Sequence, residues 1–316
     1  MNNRKIQLLL TGVAVWISFL VMITTTYGRN IVMGGNSTAI GTIVLVSPNP
    51  GDTAQANGTA LLNSLAAITG NANTPYVIRL GPGIYNIGTS SLQMKPYVDL
   101  EGSGENTTVI TGNIDSNTSG VVQGASNAEI RFLTVQNTGG GSDAIAIYNT
   151  SASPKMTNVT ASASGAVSNC GVFNISSSSP VMLNVTASGS GGTDENCGVH
   201  NHSSSSPMMT NVTASALGGT GSTNAGIVNC SSSPTMTNVT VSASGGAASY
   251  GVFSDSGGTI RINHSVIKGK TNAVVNGSGT VYVGNTQLDG GVVSGTLTCV
   301  GAYDDNYVAL NTSCQH

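Results

Sequence analysis

Four stretches of this chain repeat one another at a spacing too short for most folds. Ser153-Pro154-Lys155-Met156-Thr157-Asn158-Val159-Thr160 returns, with small changes, at residues 179–186, 206–213 and 233–240. Pro154, Pro180, Pro207 and Pro234 are 26, 27 and 27 residues apart. A second marker falls between them: Gly171-Val172-Phe173, Gly198-Val199-His200, Gly226-Ile227-Val228 and Gly251-Val252-Phe253. Each unit holds two or three β-like runs of three to five residues, punctuated by Gly, Ser and Asn. No unit has a helical period ten residues long, which excludes helical repeat arrays. So short a unit buries almost nothing alone. Stacked on its neighbours at about 4.8 Å, it forms a continuous core. One unit therefore predicts one coil of a parallel β-helix.

The phase within the unit agrees. Met156 and Val159 are both apolar but three residues apart, so both face inward only if the strand bends at Asn158. Asn tolerates the left-handed conformation that such a bend needs. Stacking then predicts a ladder of Asn158, Asn184, Asn211 and Asn238, with inner columns of Val and of Met beside it. Ala161, Ala187 and Ala214 suit a narrow interior, and the Thr160 column faces out.

Flanking coils are degenerate. Residues 130–135 keep the inward pattern with Phe132 at the bend, and residues 76–80, 97–100 and 108–110 read as strands. Beyond the repeats, residues 281–283 and 292–293 continue the pattern, giving roughly nine coils over residues 43–298, with the repeats at 150–253. Leu61, Leu62, Leu65 and Ile68 predict a short helix over residues 59–69, capped by Asn57 or Thr59, that covers the open first coil.

Arg4 and Lys5 precede an apolar run at residues 6–23, followed by small residues up to Gly28. Residues 1–28 thus read as a secretory signal, either cleaved or kept as a membrane anchor, with residues 29–42 as a linker. The expected location is extracellular or on the cell surface, where disulfides form. Only 7% of the residues are charged and the net charge is −3, which excludes an electrostatic footprint for nucleic acid.

Val77-Ile78-Arg79-Leu80-Gly81-Pro82-Gly83-Ile84-Tyr85 and Tyr97-Val98-Asp99-Leu100-Glu101-Gly102-Ser103-Gly104 resemble the opening coils of the pectin-lyase-like right-handed β-helix superfamily, pectinesterase-like proteins included. The resemblance spans about residues 43–295. It implies the fold. For activity it implies only a choice among lyases, hydrolases, esterases, tailspike-like fibres and surface proteins without chemistry.

A hydrolase of this fold needs clustered carboxylates. Asp99 and Glu101 are the weak catalytic candidates, expected at a coil edge; Asp115, Glu129 and Asp143 complete the set that would have to converge. Arg131 with Glu129 is the central pair suggestive of a lyase. Asp194-Glu195 lies in an insertion at residues 191–196 and reads as a solvated loop. His200 and His202 form a conceivable metal pair, but the matching positions Phe173, Val228 and Phe253 carry no ligand, so neither metal nor cofactor is expected. Asp304-Asp305-Asn306 reads as an exposed turn. Among the glycosylation sequons, Asn36, Asn149 and Asn201 are expected in loops.

Cys170 and Cys197 precede the same Gly-Val marker and should stack; Cys299 and Cys314 bracket a tail, residues 299–316, that a bridge would tie down as a cap; Cys230 is left over as a buried thiol. The sequence therefore reads as a secreted or surface β-helix with a structural or adhesive role, offering hydroxyl and amide ladders to glycans without an aromatic platform. The alternative is a polysaccharide-active enzyme.

Overall fold

The computed structural model describes residues 29–31, 41–219, 223–291 and 293–316. The apolar run at residues 6–23, and with it the reading of residues 1–28, lies outside the described residues, as does Asn36. The chain forms a right-handed parallel β-helix of about eight turns. An 18-stranded sheet wraps two sides, and an 8-stranded sheet closes the third.

The bend that lets one sheet cover two sides is the one the repeat spacing demands. Asn158, Asn184, Asn211 and Asn238 have φ of 51°, 54°, 55° and 54°, and Phe132 takes the same conformation at 56°. Met156 and Val159 consequently both point inward, as do their counterparts Met182, Val185, Met209, Val212, Met236 and Val239, all at most 1% exposed. Each such side chain, fully withdrawn from water, contributes about 1.5–3 kcal/mol. The outer Asn ladder is hydrogen-bonded rung to rung: Asn184 Nδ2 donates to Asn158 Oδ1 at 2.9 Å, Asn211 to Asn184 at 3.0 Å and Asn238 to Asn211 at 2.7 Å.

A second ladder runs inside the 8-stranded sheet. Asn149 donates to Asn174, Asn174 to Asn201 and Asn201 to Asn229, at 2.8, 2.9 and 2.7 Å, with all four residues at 0% exposure. Asn149 and Asn201 therefore stand in strands, not in loops, and the folded chain presents neither for glycosylation. Between the ladder and the outer face lies the glycine of the second marker. A Cβ on Gly198 would stand 2.7 Å from both Gly226 O and Ser215 N, so only glycine lets this sheet approach the opposite wall.

The first coil is covered by one helix, Ala54–Ala66. It begins earlier than the apolar spacing suggests, because Thr53, and neither Asn57 nor Thr59, is its N-cap: Thr53 Oγ1 accepts from Ala56 N at 3.1 Å. Asn57 is instead buried, donating to Ile84 O at 3.0 Å. Leu61 and Leu65 seal the core. Arg29–Ile31, in the expected linker, pairs antiparallel with Thr42–Val46. At the other end the tail folds back over the last strand. Cys299 N donates to Thr312 O at 2.9 Å, and Cys299 and Cys314 form a disulfide. No helix among the described residues is long and apolar enough to cross a membrane.

Candidate functional site

The carboxylates marked in the sequence separate into two groups on different faces. Asp99, Glu101 and Glu129 gather around Arg131 on the outward face of the large sheet, because Glu101 pairs with Arg131 in adjacent coils. Arg131 Nη1 reaches Asp99 Oδ2 and Glu129 Oε2, both at 2.9 Å, and Nη2 reaches Glu101 Oε2 at 2.8 Å. Arg79 closes on Glu101 at 2.7 Å, Lys155 on Glu129 at 3.0 Å, and Thr157 donates to Glu129 at 2.6 Å. Burial works to raise the Glu101 and Glu129 carboxyls. The bonds and charges of Arg131 with Arg79, and of Thr157, Lys155 and Arg131, outweigh it and hold both below the usual range. The hub joins four successive coils through these contacts.

Asp115 and Asp143 lie elsewhere. Asp115 Oδ1 accepts from Ser142 N at 2.8 Å and Asp143 N at 3.1 Å, which shapes the turn into the strand Asp143–Thr150. That strand opens the outward face of the 8-stranded sheet, where a groove runs. One cavity of about 360 Å³ is lined by Asp143, Tyr148, Cys170, Phe173, Glu195 and His200, among others. A neighbouring one of about 300 Å³ shares Glu195 and His200 and adds Asp194, Val228, Cys230 and Phe253. The registers explain the gathering. Tyr148 pairs with Phe173, Phe173 with His200, His200 with Val228, and Val228 with Phe253. One rung position therefore builds a column along the groove floor. Ring centroids are 5.8 Å apart for Tyr148 and Phe173 and 4.4 Å for Phe173 and His200. An aromatic platform thus exists where composition alone suggested none, because the few rings are stacked at one register.

The groove acids behave oppositely to those of the hub. Burial, then the charges of Asp194 and Asp143, raise Glu195; burial, then Asp115 and Asp194, raise Asp143. Glu195 begins the strand Glu195–His202, and so faces the groove instead of a solvated loop. Its Oε1 lies 3.7 Å from His200 Nδ1. The spacing is that of an ion pair, but burial and the neighbouring His202 push His200 down to about 3, so the imidazole is neutral near pH 7 and the contact is dipolar. His200 Nε2 is buried without a hydrogen-bond partner. Burial, then Asp255 and Glu195, raise the Cys230 thiol, which leaves it a poor nucleophile.

Phe173, His200, Val228 and Phe253 were visible in the sequence as the third residue of the Gly-Val marker. As metal ligands these positions do not match from coil to coil; as apolar side chains they form a groove floor.

No family model matches the chain, and no curated protein does either. Several solved structures resemble it. Carrot pectin methylesterase has a TM-score of 0.46 at 14% identity, over 80% of each chain. Pectin methylesterase PemA from Erwinia chrysanthemi gives 0.42 at 14%, over 86% of this chain and 91% of that one. ORF18 of Geobacillus virus E2 gives 0.46 at 12% identity over 78% of this chain, which spans 57% of that structure. At such identities the shared property is the fold.

Proposed function

We propose that the protein is an extracellular or cell-surface β-helix that binds a polysaccharide in the groove of its 8-stranded sheet. The observation that carries this reading is the Tyr148–Phe173–His200 column, a stack of rings lining a groove bordered by carboxyls and amides. Apolar ring surface lining a groove takes the C–H side of a sugar, while polar groups beside it fix orientation. No Lys or Arg lines either cavity, whereas Asp143, Asp194 and Glu195 do. Charge therefore favours a neutral or amino-sugar polymer over a polyuronate such as pectin. Two disulfides agree with an oxidising compartment.

One observation favours a second reading, hydrolysis. Asp143 pairs with Ser168, and Glu195 stands one coil further on, before Asn196 that pairs with Asn169. Two coils separate the two strand positions by about 9.6 Å along the axis. Inverting glycosidases hold their carboxyls about 6.5–9.5 Å apart and use one with a raised pKa as the acid. The strand spacing is just beyond the upper end of that range unless the side chains lean toward each other. In this reading Glu195 protonates the leaving oxygen and Asp143 activates water.

The test is retention of the full chain on a neutral glucan, on chitosan and on pectin, followed with release of new reducing ends. Retention on the first two and not on pectin is expected, reduced at least tenfold by Phe173→Ala. Release of ends abolished by Glu195→Gln with retention kept would establish the second reading. Retention that survives Phe173→Ala and fails in Asp99→Ala would refute the groove.

A further inference from the structure

The floor of the groove holds three metal-ligating side chains, of which Cys197 has no part in the glycan reading. One donor atom each from Glu195, Cys197 and His200 lies within 4.8 Å of the others. Cys170 sits against Cys197 in the adjacent coil, with Cα atoms 4.7 Å apart, and the two are joined as a disulfide. We propose that opening this disulfide converts the cluster into a site for one thiophilic divalent cation such as Zn2+, held by Cys170, Cys197, His200 and Glu195.

The local backbone makes the site. In a regular strand Cys197 and His200, three residues apart, would face opposite sides. The irregular step at Gly198, which the ladder register passes over, turns both outward. Glu195 reaches the same face from two residues before Cys197. Borrowing Cys170 from the coil below gives two sulfurs, one nitrogen and one oxygen. Thiolate and imidazole donors select Zn2+ over hard cations such as Ca2+.

One polar group in the cluster has a need that the protein leaves unmet. His200 Nε2 is buried and bonds to nothing. The Glu195 carboxylate is open to water, with His200 Nδ1 3.7 Å away. A buried unpaired polar atom in a native fold calls for a water or an ion. Tetrahedral Zn2+ with ligands at about 2.0–2.3 Å sets its donors roughly 3.3–3.8 Å apart, so side-chain rotation has about an ångström to close. Glu195 is 42% exposed and stands at the mouth, which provides the entry path.

The chemistry balances. The S–S bond takes up two electrons and two protons from a dithiol, which becomes a disulfide. The two thiols formed lose their protons to water as the cation binds. Disulfide and cation therefore exclude each other, and the site reports the redox state of its surroundings.

The experiment titrates Co2+, which takes the same ligands as Zn2+ and is coloured, into the full chain carrying Cys230→Ser. One sample is oxidised; the other is reduced with a tertiary phosphine, which is converted to its oxide. The reduced chain should bind one equivalent with a thiolate-to-Co2+ charge-transfer band that Zn2+ abolishes. The oxidised chain should show no band. His200→Gln and Glu195→Gln leave the disulfide and the core intact, and each should weaken binding at least tenfold in the reduced protein. Cys197→Ser should remove the band. A band that persists in Cys197→Ser would place the metal on the tail cysteines and overturn the proposal, and so would binding that is equal in both redox states or unchanged in both His200→Gln and Glu195→Gln. None of these outcomes depends on glycan retention.

Discussion

Asn201 and Asn211 lie ten residues apart, and each is a middle rung of an Asn ladder, yet their removal should differ several-fold in cost. In Asn201→Ala, Asn174 Nδ2 loses its acceptor at 2.9 Å and Asn229 Oδ1 its donor at 2.7 Å. Both partners are at 0% exposure, so neither finds water. A buried orphan costs about 1–3 kcal/mol. Two of them give about 4 kcal/mol as a central value. In Asn211→Gly the bonds lost are of similar length, 3.0 and 2.7 Å, but they lie on the exposed face, where water replaces them. Each is worth about 0.5 kcal/mol net, and glycine keeps the φ of 55° without strain, so the total is about 1 kcal/mol. Asn211→Ala adds the left-handed penalty of about 1–2 kcal/mol. At about 2–4 °C per kcal/mol, Asn201→Ala should lower Tm by roughly 8–16 °C, against roughly 2–4 °C for Asn211→Gly. Thermal unfolding followed by far-UV circular dichroism measures both. The two sites are close enough that position along the solenoid cancels in the comparison. Equal losses, or a larger loss for Asn211→Gly, would refute the argument that burial decides the worth of a ladder.

Three other outcomes follow from the charges and the packing. Arg131→Met should destabilise by about 1–3 kcal/mol, discounted from a fully buried pair because Asp99 is 30% exposed, and chemical denaturation at pH 7 and low salt measures it. Glu101 and Glu129 have folded-state pKa values below their unfolded ones, so their contribution is present above about pH 4.3 and is lost as pH falls through the folded values. The cost of Arg131→Met should therefore shrink in acid, and a constant difference across an acid titration would count against the hub. Glu195 has the opposite sign. Its folded pKa is raised, so ionisation disfavours the fold as pH rises through the unfolded value, and Glu195→Gln should raise Tm at pH 7 but not at pH 3. Gly198→Ala forces a Cβ against two backbone atoms at 2.7 Å and should cost about 3 kcal/mol or abolish soluble expression; a near-neutral effect would mean that the sheets separate easily.

What the sequence revealed follows from which contacts recur. The Met156 and Val159 columns and the bend at Asn158 repeat in four successive coils, so register there could be read from spacing alone. The start of the capping helix could not. Thr53 caps it because Asn57 is needed inside, on Ile84 O, and Gly58 must pass Asn86 O, where a Cβ would stand at 1.9 Å. These are contacts with one particular strand, and no periodicity carries them. The Arg131 hub sat within reach, since Asp99 and Glu101 precede Glu129 and Arg131 by 30 residues, one coil in the early part of the chain. The groove stayed hidden for a different reason. Its column changes residue type at every coil, from Tyr148 to Phe173, His200, Val228 and Phe253, so a search for identical residues passes over it.

The inner Asn ladder also has a direction. Every amide donates toward the C-terminal end, while the outer ladder donates toward the N-terminal end, so the dipoles of the two rows oppose each other across the solenoid. A one-way row must finish with an unused acceptor at one end and an unused donor at the other, and Asn149 Oδ1 and Asn229 Nδ2 are those atoms. Their number is two whether the row has four rungs or forty. Each inserted coil that carries the Asn adds a bond and no new loose end, so a longer relative would spread a fixed cost over more rungs. Selection on the length of such a solenoid can thus proceed by duplication of whole units of about 27 residues, with the ladder growing more favourable per unit at each step.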